Sequence, residues 1–114
     1  MDAVEMTLLL DFYGDLLTER QRLCLDMRYN QDLSLGEIAQ ELGVSRQGVS
    51  DNLSRGEQRM RNMEEKTGCV RRSQASRRSA ARIREAAEKL RGFPDREVAA
   101  LAETILSEVQ EFED

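Results

Sequence analysis

Residues 34–53, SLGEIAQELGVSRQGVSDNL, constrain the fold most, because they predict two short helices divided at Gly43. Ser34, with a glutamate three residues later, matches the capping box that begins many helices. Gly43 tolerates the positive φ of a tight turn, and Ser45 can cap the helix that follows. Ala39 supplies a small side chain where the two helices would touch. The segment therefore predicts a helix-turn-helix.

The rest of the chain predicts helices as well. It contains a single proline and few β-branched runs, and its apolar residues recur every three or four positions. Outside the helix pair, we expect one helix over about 3–13 and another from Thr18 to about Asn30. A third helix should end at Gly92, and a fourth should follow Asp95. The second helix of the pair is expected to continue to about Lys66. The fold class predicted is all-α.

Two further predictions concern the core. In the first helix, the spacing of Val4, Leu8 and Phe12 predicts one apolar face that packs inward, with Leu9 and Leu16 beside it. Cys24 stands between leucines in the second helix, so we expect it to be a small buried apolar residue.

The chain is expected to form two parts. Residues 1–68 are predicted to be a helix-turn-helix domain, and residues 69–114 a basic linker with a C-terminal helical extension. The start of VRRSQASRRSAARIRE predicts the linker, because it is rich in serine and arginine. Its end predicts a helix, and Asp95 is expected to cap the last helix.

Charge is unevenly distributed along the chain, whose formal net charge is -5. Residues 1–45 carry three arginines against nine acidic residues, and residues 92–114 carry one arginine against seven. Residues 46–91, in contrast, carry thirteen basic residues against six acidic ones. This basic middle is the electrostatic footprint that a polyanion would meet. Alternatively, its arginines solvate a linker or pair with the acidic ends.

The composition argues against catalysis and against a cofactor. The chain has no histidine, its two cysteines stand far apart, and no glycine-rich loop carries a phosphate-binding lysine. We therefore predict no enzyme, no metal site and no cofactor. The first residues lack the basic region of a signal peptide, and no apolar run is long enough to span a membrane. A cytoplasmic location is expected.

The middle of the chain also resembles known families. Residues 16–55, LLTERQRLCLDMRYNQDLSLGEIAQELGVSRQGVSDNLSR, are similar to region 4 of bacterial sigma factors. The resemblance is closer to the YlxM family, through LLLDFYGDLLTERQR, SLGEIAQELGVSRQGVSDN and EEKTG, and it covers residues 4 to about 70. It implies an all-helical cytosolic regulatory protein linked to the signal recognition particle. In that family the gene tends to neighbour those of the particle's GTPase and its receptor. No catalytic residues come with the resemblance.

By similarity to helix-turn-helix proteins, the helix that starts at Ser45 would enter the major groove of DNA. The resemblance implies that the nucleic-acid contacts of this helix are Ser45, Arg46, Gln47, Ser50, Asp51 and Arg55. Arginine and glutamine suit the edges of guanine and adenine, and the helix N-terminus suits a phosphate. Arg46 could equally be solvated, and Ser45 is needed as a cap in any case.

Several residues depart from a DNA-reading pattern. Asp51 places a negative charge on the presented face of the second helix. Asn52 occupies a position that is usually apolar in helix-turn-helix proteins that bind DNA. Gly48 and Gly56 each lower helix propensity by about 1 kcal/mol relative to alanine. We expect Gly48 to offset this cost by allowing close helix contact. Strong sequence-specific binding is therefore not expected from this face.

A second candidate contact lies further along the chain. Six arginines fall within the fourteen residues from 71 to 84: Arg71, Arg72, Arg77, Arg78, Arg82 and Arg84. They could hold an RNA or DNA backbone without reading its sequence, or dock on an acidic protein surface. Both interpretations remain open.

The final helix carries the stripe Val98, Leu101, Ala102, Ile105, Val109 and Phe112. The stripe could pack on the helix-turn-helix core or pair with its counterpart in a second chain. We expect a homodimer, because helix-turn-helix proteins commonly pair.

Two functional hypotheses follow. In the first, the chain is a non-enzymatic accessory of the signal recognition particle that contacts the particle's GTPase, its RNA or both. In the second, it is a transcription regulator that reads DNA through residues 46–51. The first is preferred, because Asp51 and Asn52 interrupt the reading face.

Overall fold

The computed structural model describes residues 3–113 and confirms the all-α fold class. Within those residues it contains six α-helices, one short 3-10 turn and no strand. The helices are α1 (Ala3–Tyr13), α2 (Glu19–Tyr29), α3 (Leu35–Leu42), α4 (Arg46–Thr67), α5 (Cys69–Arg91) and α6 (Arg96–Glu113), and the 3-10 turn, Gly14–Leu16, follows α1. The chain divides after Val70 into two compact units.

Local hydrogen bonds begin the helices where the sequence predicts. The Oγ atom of Ser34 accepts from the Glu37 amide at 3.1 Å, and the Glu37 carboxylate accepts from the Ser34 amide at 3.0 Å. Thr18 and Gln21 form the same reciprocal box at the start of α2. Ser45 caps α4, because its Oγ accepts from the Gly48 amide at 2.9 Å. These capping predictions are confirmed.

The core of the first unit has two clusters. One joins α1, α2 and α4 through eight buried residues: Met6, Leu9, Leu10, Tyr13, Leu17, Leu25, Met60 and Val70. The other lies inside the helix-turn-helix and consists of Cys24, Ile38, Ala39 and Val49. Leu53 packs against both, so the helix pair and the bundle form one continuous core. The prediction that Cys24 is buried is confirmed.

The predicted inner face of α1 is wrong for Val4 and Phe12, whereas Leu8 packs against the core and its neighbour Leu9 is buried. Met6, Leu9 and Tyr13 are buried, whereas Val4 and Phe12 are exposed. The apolar residues of this helix extend most of the way around it, so their spacing does not select one face. Contact with α2 and α4 decides which side is buried.

The predicted linker is also wrong, because α5 is helical from Cys69 to Arg91. Between these two residues the chain has neither glycine nor proline, and it is rich in arginine and alanine. These residues favour a helix. Serine and arginine look like linker composition, but they carry no signal that would break a helix.

Gly56, rather than Gly48, allows close helix packing. A Cβ atom at Gly56 would lie 2.8 Å from Cδ1 of Leu25 and 3.3 Å from Cβ of Gln21, both on α2. At Gly48 the nearest atom is the Oγ of Ser45, which belongs to the cap of α4 itself. The expectation for Gly48 is therefore corrected: α4 crosses α2 closely at Gly56.

A small polar network holds the junction of α4 and α5. The hydroxyl of Tyr13 donates to the Glu64 carboxylate at 2.6 Å and also contacts the Thr67 hydroxyl. The same Glu64 oxygen accepts from the Val70 amide at 3.0 Å. Gly68 makes the turn between the helices with a φ of 64°. Burial, together with the Glu64 carboxylate, raises the pKa of Tyr13.

In the second unit, α5 and α6 form a helical hairpin. Oδ1 of Asp95 accepts from the amides of Glu97 and Val98 at 2.8 and 3.2 Å, which confirms Asp95 as the cap of α6. Near the turn, the Arg91 guanidinium reaches the Glu103 carboxylate at 3.4 Å. Across residues 3–113, no helix is both long and apolar enough to cross a membrane.

Candidate nucleic-acid interface

The turn between α3 and α4 positions the first candidate interface. Gly43 adopts a left-handed conformation, with φ 67° and ψ 36°, and the Val44 amide donates to the Ala39 carbonyl at 3.0 Å. Because Ala39 and Val49 are buried between the helices, the opposite side of the first turns of α4 faces outward. The geometry is that of a helix-turn-helix with a presented second helix.

The structure places the predicted contacts of α4 on this outward side. Ser45, Arg46, Gln47, Asp51 and Arg55 are exposed, and Ser50 is half-buried. The second predicted set lies on α5, where Arg71, Arg72, Arg77 and Arg78 are all exposed. The first set thus belongs to the first unit and the second set to the second unit.

The two residues best suited to reading bases are engaged within the chain. Nε2 of Gln47 donates to Oδ1 of Asp51 at 3.1 Å, so the amide donor that would recognise adenine is satisfied by a carboxylate on the same face. Gln47 and Asp51 are four residues apart on one helix, a spacing that predicts contact between their side chains. Asp51 therefore neutralises the reading potential of Gln47 as well as adding a negative charge.

Arg46 does not extend away from α4. A Cβ atom built on Gly36 would lie 2.7 Å from Nη2 and 3.1 Å from Nε of Arg46. The guanidinium therefore lies against the first turn of α3, in space that exists because residue 36 has no side chain. Sequence reasoning did not find this contact, since it joins residues on two different helices.

Asn52 also bonds to its own helix. Nδ2 of Asn52 donates to the Gly48 carbonyl at 2.8 Å, and the side chain is half-buried. This bond satisfies the amide where an apolar side chain would otherwise pack. Of the three central side chains of the presented face, Gln47 and Asn52 are thus held by hydrogen bonds inside the protein, and Arg46 lies against α3.

The basic residues of α5 form a different surface. Arg71, Arg78, Arg82 and Lys89, here called the basic stripe, are spaced by seven, four and seven residues and therefore share one face of the helix. All four are exposed. Sequence reasoning missed Lys89, although the heptad spacing from Arg82 was a signal.

The arginines of α5, inside and outside the basic stripe, differ in their partners. Arg91, near the end of α5, is paired with Glu88 and Glu103. Within residues 3–113, neither a hydrogen bond nor an ion pair engages Arg77, Arg78 or Arg82. An arginine that keeps all its donors in solvent can bind a phosphate without first losing a protein partner.

Metal chemistry has no visible basis in the described part of the chain. Within it, histidine, cysteine, aspartate and glutamate side chains nowhere form a group of three that could hold a metal ion. The pKa of the Cys24 thiol is raised by burial, which disfavours the reactive thiolate.

Comparison with known proteins agrees with this geometry. Residues 1–95 match a family described as "Putative helix-turn-helix protein, YlxM / p13 like". The UPF0122 protein of Thermoanaerobacter sp. strain X514 is 43% identical over 111 residues, which cover 96% of this chain and 95% of that protein.

Other relatives match shorter parts of the chain. The UPF0122 protein of Acetivibrio thermocellus is 59% identical over 71 residues, or 61% of each chain. A UPF0122 protein of Bacillus cereus strain AH187 is 44% identical over 83 residues, which cover 73% of this chain and 76% of the relative. The family match spans both the helix-turn-helix and α5. The chain belongs to the UPF0122 family of YlxM / p13-like helix-turn-helix proteins.

Proposed function

We propose that the chain is a non-enzymatic regulatory accessory of the signal recognition particle, acting in the cytosol. In this proposal the basic stripe of α5 binds the backbone of the particle's RNA, and the helix-turn-helix serves as a packed scaffold. The observation that carries the proposal is the continuous helix α5, on which Arg78 and Arg82 of the basic stripe are exposed and without partners among the described residues.

The basic stripe suits a phosphate backbone for electrostatic reasons. Its ends, Arg71 and Lys89, are eighteen residues apart, or about 27 Å along a helix. Binding of this kind releases counterions and is sensitive to salt, but it does not depend on base sequence. Selection of one RNA would then rest on its shape and on contacts with the particle's protein.

The presented face of α4 supports the scaffold role. Gln47 bonds Asp51 and Asn52 bonds its own helix, so base reading through these two side chains would require breaking hydrogen bonds inside the protein. Each lost hydrogen bond costs about 1 kcal/mol. In the basic stripe, Arg78 and Arg82 can bind a phosphate without breaking a hydrogen bond inside the described part of the chain.

The test measures binding of the full chain to the purified RNA of the particle by fluorescence anisotropy at several salt concentrations. The variant Arg78→Gln/Arg82→Gln/Lys89→Gln should bind about 10-fold or more weakly, and its salt slope should fall by about 2–3. The matched control is Arg20→Gln/Arg59→Gln/Lys66→Gln, which removes the same charge from exposed positions of the first unit. Equal weakening by both variants would contradict a role for the stripe.

The GTPase of the particle is the other contact that the proposal allows. Retention of the purified GTPase by the immobilised chain, with and without RNA, separates the two contacts. Retention of the GTPase only when RNA is present would support the basic stripe as the RNA contact. Retention of GTPase alone, unchanged by the stripe variant, would move the contact to a protein surface. No retention of particle, GTPase or RNA would refute the accessory role.

A second candidate function is DNA-dependent regulation through α4. Its support is the left-handed turn at Gly43, which leaves Ser45 and Gln47 exposed at the start of a presented helix. Selection from random duplex DNA tests it. An enriched sequence whose binding falls about 10-fold or more in Arg46→Ala, and rises in Asp51→Asn, would favour this function over the first. We expect no enriched sequence.

A further inference from the structure

The α5–α6 hairpin presents a large apolar face to solvent. Leu101 and Phe112 are 61% and 69% exposed, and their spacing of eleven residues puts them on one side of α6. Ile83 and Leu90, seven residues apart on α5, are 48% and 37% exposed. These four residues are here called the hairpin face.

Both helices contribute to this face on the same side of the hairpin. Ile83 and Ser76 of α5 line a groove of about 500 Å³ together with Val109 and Phe112 of α6. Small buried side chains, Ala80 on α5 and Ala102 on α6, mark the inner sides of the two helices. The face is therefore a shallow surface two helices wide, with bulky apolar side chains standing out from it. Patches of this kind mark interaction sites.

The two helices that border the face carry opposite charge. From Arg71 to Arg91, α5 has eight basic residues and two acidic ones, whereas α6 has one basic residue and five acidic ones. Glu108 lies at the groove itself and Glu111 is exposed beside it on α6. A partner that covers this face must therefore present an apolar centre, an acidic side opposite α5 and a basic side opposite α6.

A second copy of the hairpin meets all three requirements. A twofold axis that lies between the two faces and runs parallel to the helices lays α5 of one copy over α6 of the other, so opposite charges meet on both sides. An axis across the helices would stack α5 on α5 and bring like charges together. We infer that the chain forms a twofold homodimer through the hairpin face, with α5 of each copy over α6 of its partner.

The available area fits such a dimer. The 18 residues of α6 span about 27 Å, and two neighbouring helices are about 20 Å wide. The face would bury on the order of 1,000 Å² in total, near the lower bound for a specific interface. A dimer of micromolar affinity is expected.

Sedimentation equilibrium of the full chain, from about 1 to 100 µM, tests the inference. At the upper end the wild-type chain should show twice its mass of 13.0 kDa. The variant Leu101→Ser/Phe112→Ser should raise the dimer Kd about 100-fold. Both side chains are exposed within the chain, and circular dichroism verifies that the helices persist.

The matched control is Val4→Ser/Phe12→Ser on α1, which changes two apolar residues that are 71% and 42% exposed. It should leave the dimer Kd unchanged. A wild-type chain that stays monomeric up to 100 µM (about a hundred times the expected Kd) overturns the inference. So does a dimer that the α1 control dissociates or that the α6 variant leaves intact.

Charge reversal tests the arrangement of the two hairpins. In Glu108→Lys/Glu111→Lys, the acidic side of α6 becomes basic where the partner's α5 should lie. The dimer Kd should rise about 10-fold at low salt, and the difference should shrink at high salt. A tighter dimer would mean that like helices stack, which overturns the proposed arrangement. RNA binding by monomeric variants is measured separately, so failure of the dimer and failure of the proposed function are distinguishable.

Discussion

At the scale of single residues, the two glycines of α4 have different roles despite equal helix propensity. Gly56 is buried where α4 crosses α2, and the nearest atom that cannot rotate away is Cβ of Gln21, 3.3 Å from the position that an added methyl carbon would occupy. Gly48 stands in the first turn, next to the Ser45 cap. An added methyl group should therefore separate the helices at one position and only favour the helix at the other.

We predict opposite effects of alanine at the two positions. Gly56→Ala should lower the free energy of unfolding by about 1 kcal/mol, because overpacking of about 1–3 kcal/mol exceeds the gain in propensity. Gly48→Ala should raise it by less than the full propensity gain of about 1 kcal/mol, because the methyl carbon would lie 3.2 Å from the Oγ of Ser45, which closes the cap. Urea denaturation followed by circular dichroism measures both. Stabilisation by Gly56→Ala would mean that α2 and α4 can move apart without loss.

Tyr13 is the second residue-scale case. Its hydroxyl bonds Glu64, 51 residues away, and contacts Thr67. We predict that Tyr13→Phe lowers the free energy of unfolding by about 1–2 kcal/mol at neutral pH, since it removes a partner of a partly buried carboxylate. Thermal or urea unfolding of the two proteins provides the measurement.

The pKa of Tyr13 adds a pH dependence with a definite sign. Because the pKa is raised in the folded state, the network contributes stability below the ordinary tyrosine value of 10.0 and loses it as pH rises through the folded pKa. The difference in tyrosinate absorbance between wild type and Tyr13→Phe should therefore titrate above pH 10.0. A difference spectrum that appears below this pH would show that Tyr13 is not held by burial and Glu64.

At the scale of elements, α3 depends on its first hydrogen bonds. The Ser34 amide and hydroxyl bond the Glu37 carboxylate and amide, and the bond from the Ser34 backbone is the main cause of a lowered pKa at Glu37. With eight residues, α3 is too short to form by itself, so the cap and its packing on Val49 must support it. Ser34→Ala should cost about 1 kcal/mol.

Glu37 gives this element a predicted acid sensitivity. A lowered folded pKa means that the contribution is present above the ordinary glutamate value and is lost as pH falls through the folded value. Glu37→Gln keeps an oxygen that accepts from the Ser34 amide but removes the titration. The variant should therefore show a flatter decline of stability in acid than wild type. Identical acid profiles would assign the decline to other carboxylates.

α5 shows how an element can be misjudged from composition. Its serines and arginines suggested a linker, yet the residues between Val70 and Arg91 contain no helix breaker, and the helix continues from the αL turn at Gly68 to the Gly92 turn. Because the arginines stand on a regular helix, their spacing determines which of them share a face. The basic stripe exists only through this regularity.

At the scale of the whole molecule, the core and the charge are divided between two units. Both core clusters lie within the first unit, from Met6 to Val70. The second unit has few buried side chains, chiefly alanines, and carries the basic stripe and the hairpin face. The first unit therefore contains what is needed for folding, and the second has surfaces suited to binding.

This division predicts the behaviour of a truncated chain. A chain ending at Ser73 keeps every residue of the two clusters, so it should unfold cooperatively, with a midpoint close to that of the first unit in the full chain. It should lose most of the RNA affinity that we propose, because Arg78, Arg82 and Lys89 are absent. Calorimetry and anisotropy measure the two properties. A truncated chain that is unfolded, or that binds RNA as well as the full chain does, would contradict the division.

Sequence reasoning predicted the features that depend on neighbours along the chain. The capping boxes at Thr18 and Ser34, the left-handed turn at Gly43 and the cap at Asp95 are each closed by hydrogen bonds between residues three or four positions apart or fewer. Such contacts can be predicted from the order of residues, because both partners lie close together along the chain. The helix-turn-helix and the all-α fold followed from them.

Tertiary structure decided the features that depend on residues distant in sequence. It selected the Met6 side of α1 over the Val4 side, assigned close packing to Gly56, and laid Arg46 against Gly36. Periodicity lists the apolar or basic residues of a helix, but the neighbouring helices determine which of them are covered and which side chains are engaged. By itself, the sequence determined where each capped helix begins. Only packing between helices decided which surfaces remain open for a partner.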